Sequence, residues 1–254
     1  MSAAVWQFAG LAAVAAVAWL ALYRLPLARP RVRQRVRLAV ASVTGLPPRY
    51  VFAVLGTLIY LATGLGAIAV VTLVGPAPLG QALSWQVSLP AVALTVLVIV
   101  GAAAATGFAM SLLYALRPGV DVPGAVAGTG WIREILVLPP AWRWLVPMSS
   151  AAVEEVFFRG VVLVGLLTHG ASVPVAIVVS GALFVAGQVA LTERGLAAVV
   201  LGSSSIVLSA LCGLLVVVTG SVVPAVIVHA SFAGYYTNLP AAGPAPVARA
   251  ASSG

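Results

Sequence analysis

Residues 153–160 read VEEVFFRG, and they lie inside an apolar run from about Trp144 to Leu167. A run of this length is long enough to cross a bilayer as a helix. Each charged side chain near the centre of such a helix costs roughly 2.5–3.5 kcal/mol on insertion scales. The sequence therefore predicts a transmembrane helix whose three charges are paired, face a polar cavity or take part in chemistry.

Helical spacing separates the two glutamates of this stretch. Glu155 and Arg159 share a helix face, with the glutamate on the N-terminal side that favours an ion pair. Glu154 is turned about 100° away from Glu155 by the 3.6-residue period. We therefore expect one carboxylate to be neutralised by its own helix and the other to face water or another helix.

The composition is that of a polytopic membrane protein. The 254 residues are 62% hydrophobic and only 7% charged, whereas soluble domains carry about 25% charged residues. The net charge of +8 comes from thirteen arginines, no lysine and five acidic residues. Because the arginines lie in short segments between apolar runs, membrane orientation explains them more simply than nucleic-acid binding does. The single Cys212 is expected to be a small buried packing residue.

The apolar runs predict an all-α bundle of about seven transmembrane helices in a single transmembrane domain, residues 1–239. The approximate bounds of the spans are 3–23, 50–74, 87–116, 144–169, 173–191, 196–218 and 222–238. Short interfacial helices are predicted near residues 132–138 and, in a basic segment, at 32–43. The Pro/Ala/Gly/Ser-rich tail, residues 240–254, is predicted to be disordered.

The arginines also predict an orientation. With seven spans and the N-terminus outside, twelve of the thirteen arginines fall on the cytoplasmic side, and the thirteenth is Arg159 within the fourth span. The C-terminus is then cytoplasmic, and the outside loops carry no charged side chain. We expect an integral protein of the inner (plasma) membrane, and the Arg-without-Lys, Ala-rich composition favours a bacterial source.

Two polar residues at lipid depth are candidate site residues. Glu154 is interpreted as a general base that activates water for attack on a peptide carbonyl, or as a protonated side chain bonded to a neighbouring helix. His229 lies in the predicted seventh span, where an imidazole is typical of a functional site. His169, at the outer end of the fourth span, is interpreted as an interfacial residue.

The pattern E-E-x-x-x-R in a membrane helix resembles the CAAX-protease and bacteriocin-processing family of intramembrane proteases (CPBP, also called Abi). The second and third motifs of that family are F-x-x-x-H and H-x-x-x-N, on two later helices. Phe184 begins the counterpart of the second motif, with Gln188 in place of the histidine. His229 begins the counterpart of the third, with Ala233 in place of the asparagine. The resemblance covers a protease-like core of about residues 131–238.

The resemblance implies an intramembrane endopeptidase that cleaves a membrane protein or peptide. It implies that Glu154 is the base and that Glu155 and Arg159 support it. It also implies that His229 polarises the carbonyl or helps to position water. Gln188 can hold water or a carbonyl, but an amide is a poor proton carrier and a poor metal ligand. With His229 as the one imidazole candidate, no cofactor is expected, and the divalent metal that the family implies is not expected to be tightly held.

Three alternatives stay open from the sequence. Gln188 and Ala233 also fit a catalytically degraded member that binds a membrane-protein partner as a scaffold or accessory subunit. A proton-coupled transporter is disfavoured because the sequence shows neither an inverted repeat nor broken helices. A serine protease built on Ser203 or Ser204 and His229 is disfavoured because serine in a membrane helix usually makes a packing hydrogen bond.

Overall fold

The computed structural model describes residues 2–192 and 195–238, and these residues form helices and their connections without any strand. This confirms the all-α prediction. The α-helices are α1 Ala3–Arg24, α2 Pro30–Thr44, α3 Val51–Val74, α4 Leu79–Leu83, α5 Leu89–Leu116, α6 Val122–Gly128, α7 Gly130–Leu136, α8 Pro140–Glu155, α9 Val164–Thr168, α10 Val173–Ala190, α11 Leu196–Thr219 and α12 Val223–Asn238. A 3₁₀ turn, Pro48–Tyr50, precedes α3, and a π-helix, Val156–Leu163, joins α8 to α9.

Five helical stretches are long and apolar enough to cross a membrane, judged by length and composition. They are Ala3–Arg24, Pro48–Val74, Leu89–Leu116, Val173–Ala190 and Leu196–Thr219, and they coincide with five of the seven predicted spans. The chain is therefore an integral, polytopic α-helical membrane protein. The predicted fourth and seventh spans are also helical but differ from a regular long span.

The fourth span consists of three consecutive helical segments. The sequence predicted one regular helix here, but α8 ends at Glu155 and the following π-helix contains Arg159. Residues 157–163 are all buried, so this segment is surrounded by other helices rather than facing lipid on one side. Wide π-turns within helices occur frequently at functional sites. The seventh span, α12, has 16 residues, about 24 Å of helix, which is shorter than a typical hydrocarbon core of about 30 Å.

The first helix packs directly against the central one. The indole of Trp19 on α1 lies 5.5 Å from the ring of Phe157 and 6.2 Å from that of Phe158, measured between centroids. Gly64 on α3 makes this packing possible, because a Cβ added there would lie 2.6 Å from Trp19 and 2.7 Å from Val153. The glycine therefore lets α3 approach both α1 and α8 closely.

Short helices are found where the sequence predicted them, and their position at the membrane interface remains a prediction. Helix α7 corresponds to the segment predicted near residues 132–138, and α6 directly precedes it. Helix α2 corresponds to the basic segment at 32–43, and none of its residues is buried. The tail of residues 240–254 lies outside the described residues, and the single-domain division remains a prediction.

The orientation also remains a prediction, and reporter fusions test it. Cytoplasmic reporters fused after Arg37, Gly119 and Arg194 should be active, because the positive-inside rule places these arginine-rich segments in the cytoplasm. The same reporters fused after Gly80 and Gly170 should be silent. A reversed result at two or more of the five positions would contradict the seven-span arrangement with the N-terminus outside.

Candidate active site

The three cavity-facing candidates, Glu154, Gln188 and His229, come from three different helices and meet at one cavity of about 400 Å³. Glu154 lies in the last turn of α8, Gln188 near the end of α10 and His229 in the middle of α12. Other lining residues come from α3, α5, α6, α7 and α11, and most of them are apolar. The structure thus brings together polar groups that are far apart in sequence.

Both oxygens of the Glu154 carboxylate accept hydrogen bonds. The hydroxyl of Tyr60 donates to Oε1 at 2.5 Å, and Nε2 of Gln188 donates to Oε2 at 2.9 Å. Nε2 of His229 lies 3.9 Å from Oε2, which is too long for a direct hydrogen bond and within reach of a bridging water. The side chain of Glu154 therefore faces other helices and the cavity. The sequence predicted this, because the helical period turns Glu154 about 100° away from Glu155.

Glu155 lies behind the imidazole and is completely buried. Its Oε1 lies 2.8 Å from Nδ1 of His229 and 3.1 Å from Nη1 of Arg159. The expected Glu155–Arg159 ion pair is therefore present. Because a carboxylate accepts hydrogen bonds and does not donate them, the Nδ1 that faces it is assigned the N–H of the imidazole. Nε2, with its lone pair, then faces Glu154 and the cavity.

The ion pair is not fully bonded within the described residues. Oε2 of Glu155 and both Nη atoms of Arg159 lack a hydrogen-bond partner there, so the Nη1–Oε1 contact is ionic without a well-directed hydrogen bond. The guanidinium also lies over the ring of Phe184, 4.4 Å from its centroid. This contact stabilises the cation through the ring quadrupole. Phe184, the first residue of the second motif, thus packs on both Arg159 and His229.

Tyr60 is the site residue that the sequence reasoning missed. It lies on α3, ten residues after Tyr50, which places it about 15 Å along the span. A phenol at that depth needs a hydrogen-bond partner, and this was the signal available in the sequence. The structure supplies Glu154 as the partner, while the indole N–H of Trp19 donates to the carbonyl oxygen of Tyr60 at 2.9 Å.

We expect Tyr60→Phe to lower the free energy of unfolding by about 1–3 kcal/mol, because it removes a hydrogen bond to a carboxylate inside the bundle. Unfolding in mixed detergent, followed by circular dichroism, measures the change. Tyr50→Phe is the matched control, since Tyr50 ends the 3₁₀ turn before α3, away from Glu154, and its replacement should leave stability within about 0.5 kcal/mol. Equal effects of the two changes would show that the Tyr60 hydroxyl is not held by Glu154.

The remaining polar candidates do not join the site. The hydroxyl groups of Ser203 and Ser204 donate to the carbonyl oxygen of Val200, so neither is oriented as a nucleophile by His229. Nδ1 of His169 lies 2.7 Å from the carbonyl oxygen of Gly165, and its ring stacks on Phe8. Cys212 is fully buried, as expected. Ala233 lines the cavity with a side chain that offers no donor.

The donor set does not fit a tightly bound divalent metal. In the part of the chain that the structure describes, no group of three His, Cys, Asp or Glu side chains is arranged to hold one. Both oxygens of Glu154 already accept hydrogen bonds, and Oε1 of Glu155 is shared by His229 and Arg159. A catalytic zinc site needs three protein ligands, so no step of the chemistry is assigned to a metal.

The structure is thus a polytopic helical bundle in which Glu154, Gln188 and His229 line one cavity, with Glu155 behind the imidazole. The family model described as type II CAAX prenyl endopeptidase Rce1-like matches residues 136–234, which is under half of the chain and includes all three motif positions. This match confirms the resemblance to the CPBP family, and the segment has an intramembrane CAAX-type protease fold. No curated protein and no solved structure matches the chain.

Proposed function

We propose that the protein is an intramembrane endopeptidase in which Glu154 activates water to hydrolyse a peptide bond of a membrane-associated substrate. The observation that supports this most directly is the 3.9 Å separation between Oε2 of Glu154 and Nε2 of His229 in a largely apolar cavity. A water held between a carboxylate and an imidazole is positioned for deprotonation. The surrounding lining is largely apolar, which suits a membrane peptide.

The proposed reaction uses Glu154 as base and then as acid. Glu154 takes a proton from the water as the oxygen bonds to the carbonyl carbon of the substrate. Nε2 of His229, which carries the lone pair, accepts a hydrogen bond from the same water and orients it for this attack, which yields a tetrahedral oxyanion. When the C–N bond breaks, the proton held by Glu154 passes to the leaving amine, so that the products are a carboxylic acid and an amine.

Glu155 and Arg159 act through His229 in this proposal. The Glu155 carboxylate accepts from Nδ1 and fixes both the ring orientation and the tautomer, as carboxylates behind catalytic or ligating histidines do. Arg159 contacts the same carboxylate and compensates its charge in a fully buried position. Removing either would therefore alter the imidazole indirectly rather than remove a group that touches the substrate.

Gln188 is proposed to position Glu154. Its amide donates to Oε2 of the carboxylate, and an amide cannot carry the proton that a histidine at this place would share. Ala233 contributes no donor for the oxyanion. These two replacements favour a second candidate function, a catalytically degraded protease that binds a membrane-protein partner in the same cavity as a scaffold or accessory subunit.

Replacing Gln188 and Ala233 with the histidine and asparagine of the family motifs distinguishes a protease from a scaffold. If the protein is a working or weakened protease, Gln188→His should raise turnover, because an imidazole can share a proton with the water beside Glu154. Ala233→Asn should add an oxyanion donor, which can be worth about 3–4 kcal/mol of transition-state stabilisation. Cleavage of a membrane-peptide library in reconstituted bilayers, for wild type, both single variants and the double variant, measures the effect.

Glu154→Gln in each of these backgrounds is the control, and it should abolish every gain. The scaffold function predicts no cleavage by any of the four variants and a change in partner binding when the cavity is altered. Absence of cleavage in all four, with folding confirmed by circular dichroism, would refute the protease and leave the scaffold.

A further inference from the structure

Helix α2 carries its arginines on two nearly opposite faces. Arg31 and Arg35 are four residues apart, and so are Arg33 and Arg37, while the two pairs are offset by two residues. At 100° per residue this offset turns the pairs about 160° away from each other. Like charges at this spacing destabilise a helix, and α2 contains no acidic residue. Each pair therefore needs an anion or a π-face from outside the helix.

The inward pair finds its partners within the protein. Arg33 forms an ion pair with Glu134 of α7, and its guanidinium lies 4.2 Å from the centroid of the Phe52 ring on α3. Arg37 lies over the same ring at 5.2 Å. These contacts attach one face of α2 to α3 and α7, and so determine which face is left outward.

The outward pair has no such partner among residues 2–192 and 195–238. Arg31 and Arg35 are exposed, and neither takes part in an ion pair or a cation–π contact with the described residues. Their guanidinium groups suit bidentate contacts with phosphate oxygens.

A third face of α2 is apolar. By helical spacing Val32, Val36, Ala39 and Val43 fall within about 60° of one another, beside the outward arginines. Val43 is 86% exposed and Val32 38% exposed. An exposed apolar stripe flanked by arginines is the pattern of a helix that lies in the plane of a membrane surface.

The connections hold α2 at that surface. Five residues separate the end of α1 at Arg24 from the start of α2, and three residues lie between the end of α2 and the 3₁₀ turn that leads into α3. Both α1 and the stretch Pro48–Val74 are long and apolar enough to cross the membrane, so the helix between them stays at the bilayer boundary.

We propose that α2 is a binding site for anionic phospholipids, in which Arg31 and Arg35 hold headgroup phosphates and the Val32–Val43 stripe enters the acyl boundary. The attachment of Arg33 and Arg37 to α3 and α7 fixes this orientation. The site is independent of the proposed peptidase activity.

Binding of dansyl-labelled phosphatidylglycerol to the full chain in neutral detergent tests the phosphate contacts, with energy transfer from tryptophan as the signal. Arg31→Gln/Arg35→Gln should raise the apparent Kd about thirtyfold, since each arginine near an anionic headgroup is worth about 1 kcal/mol. Arg49→Gln/Arg117→Gln makes the same change in charge at two exposed positions outside α2 and should have at most about a fifth of that effect. Unlabelled phosphatidylglycerol should compete, whereas phosphatidylcholine and inorganic phosphate should not.

Equal losses with the two double variants would overturn the assignment to the outward face, and competition by inorganic phosphate would show an anion site instead of a lipid site.

Nitroxide labels provide a second measurement that leaves the arginines intact. In a Cys212→Ala background, cysteines are introduced at Val43 and at Gln34, which faces the opposite side of α2 by helical spacing. In phosphatidylglycerol vesicles the label at 43 should collide with oxygen and the label at 34 with a water-soluble nickel complex; two water-exposed labels would refute the membrane-surface orientation.

Discussion

Glu154→Gln is expected to lower peptide hydrolysis by about 10²–10⁴-fold, the usual contribution of a positioned general base. The glutamine has nearly the same shape, and its carbonyl oxygen still accepts from the Tyr60 hydroxyl that bonds Oε1 in the wild type. Gln188 can meet the new amide with its own carbonyl oxygen after a flip of its side chain. The variant therefore removes the base with little change in packing.

Mass spectrometry of cleaved membrane peptides in reconstituted bilayers measures this loss. Glu134→Gln is the matched control, because Glu134 lines the same cavity on α7 but bonds Arg33 rather than His229 or Glu154. Its activity should stay within about threefold of wild type, a change of less than 1 kcal/mol. In cells, equal amounts of uncut membrane proteins with wild type and Glu154→Gln would contradict the protease and favour the scaffold.

Breaking the Glu155–Arg159 pair is expected to have the largest effect on stability. Both side chains are almost completely buried, at 0% and 1% exposure. Glu155→Ala leaves the guanidinium without its counter-ion, and Arg159→Met leaves the carboxylate without its own. Removing one partner of a buried pair typically costs about 3–5 kcal/mol, since the other charge stays buried and uncompensated. Unfolding in mixed detergent measures the loss.

The double variant Glu155→Gln/Arg159→Met separates stability from chemistry. It removes both charges with similar side-chain volume, and such replacements are often neutral or stabilising, so we expect most of the lost stability to return. Activity should not return with it, because the Nδ1 of His229 then faces an amide instead of a carboxylate and its tautomer is no longer determined. Single variants within about 1 kcal/mol of wild type would contradict the buried pair.

Features within one helix could be predicted from the sequence. The apolar runs determined the all-α membrane class because only helices and closed barrels satisfy the backbone in lipid. The four-residue spacing determined the Glu155–Arg159 pair, since helical periodicity is a local property. The motif pattern indicated the resemblance to the CPBP family, which the family model supports, and it selected Glu154 and His229 as candidate site residues. Each of these inferences depends on residues close in sequence or on a pattern within one span.

Contacts between helices were decided only by the tertiary structure. The hydroxyl of Tyr60 reaches Glu154 across 94 positions, and this depends on the close approach of α3 that Gly64 and Trp19 allow. The family resemblance implied roles for both His229 and Glu154, but helix packing turned Nδ1 of His229 to Glu155 at 2.8 Å and left Nε2 facing Glu154 at 3.9 Å. The rotation and depth of one helix against another are set by side-chain packing over the whole bundle, and no local spacing encodes them.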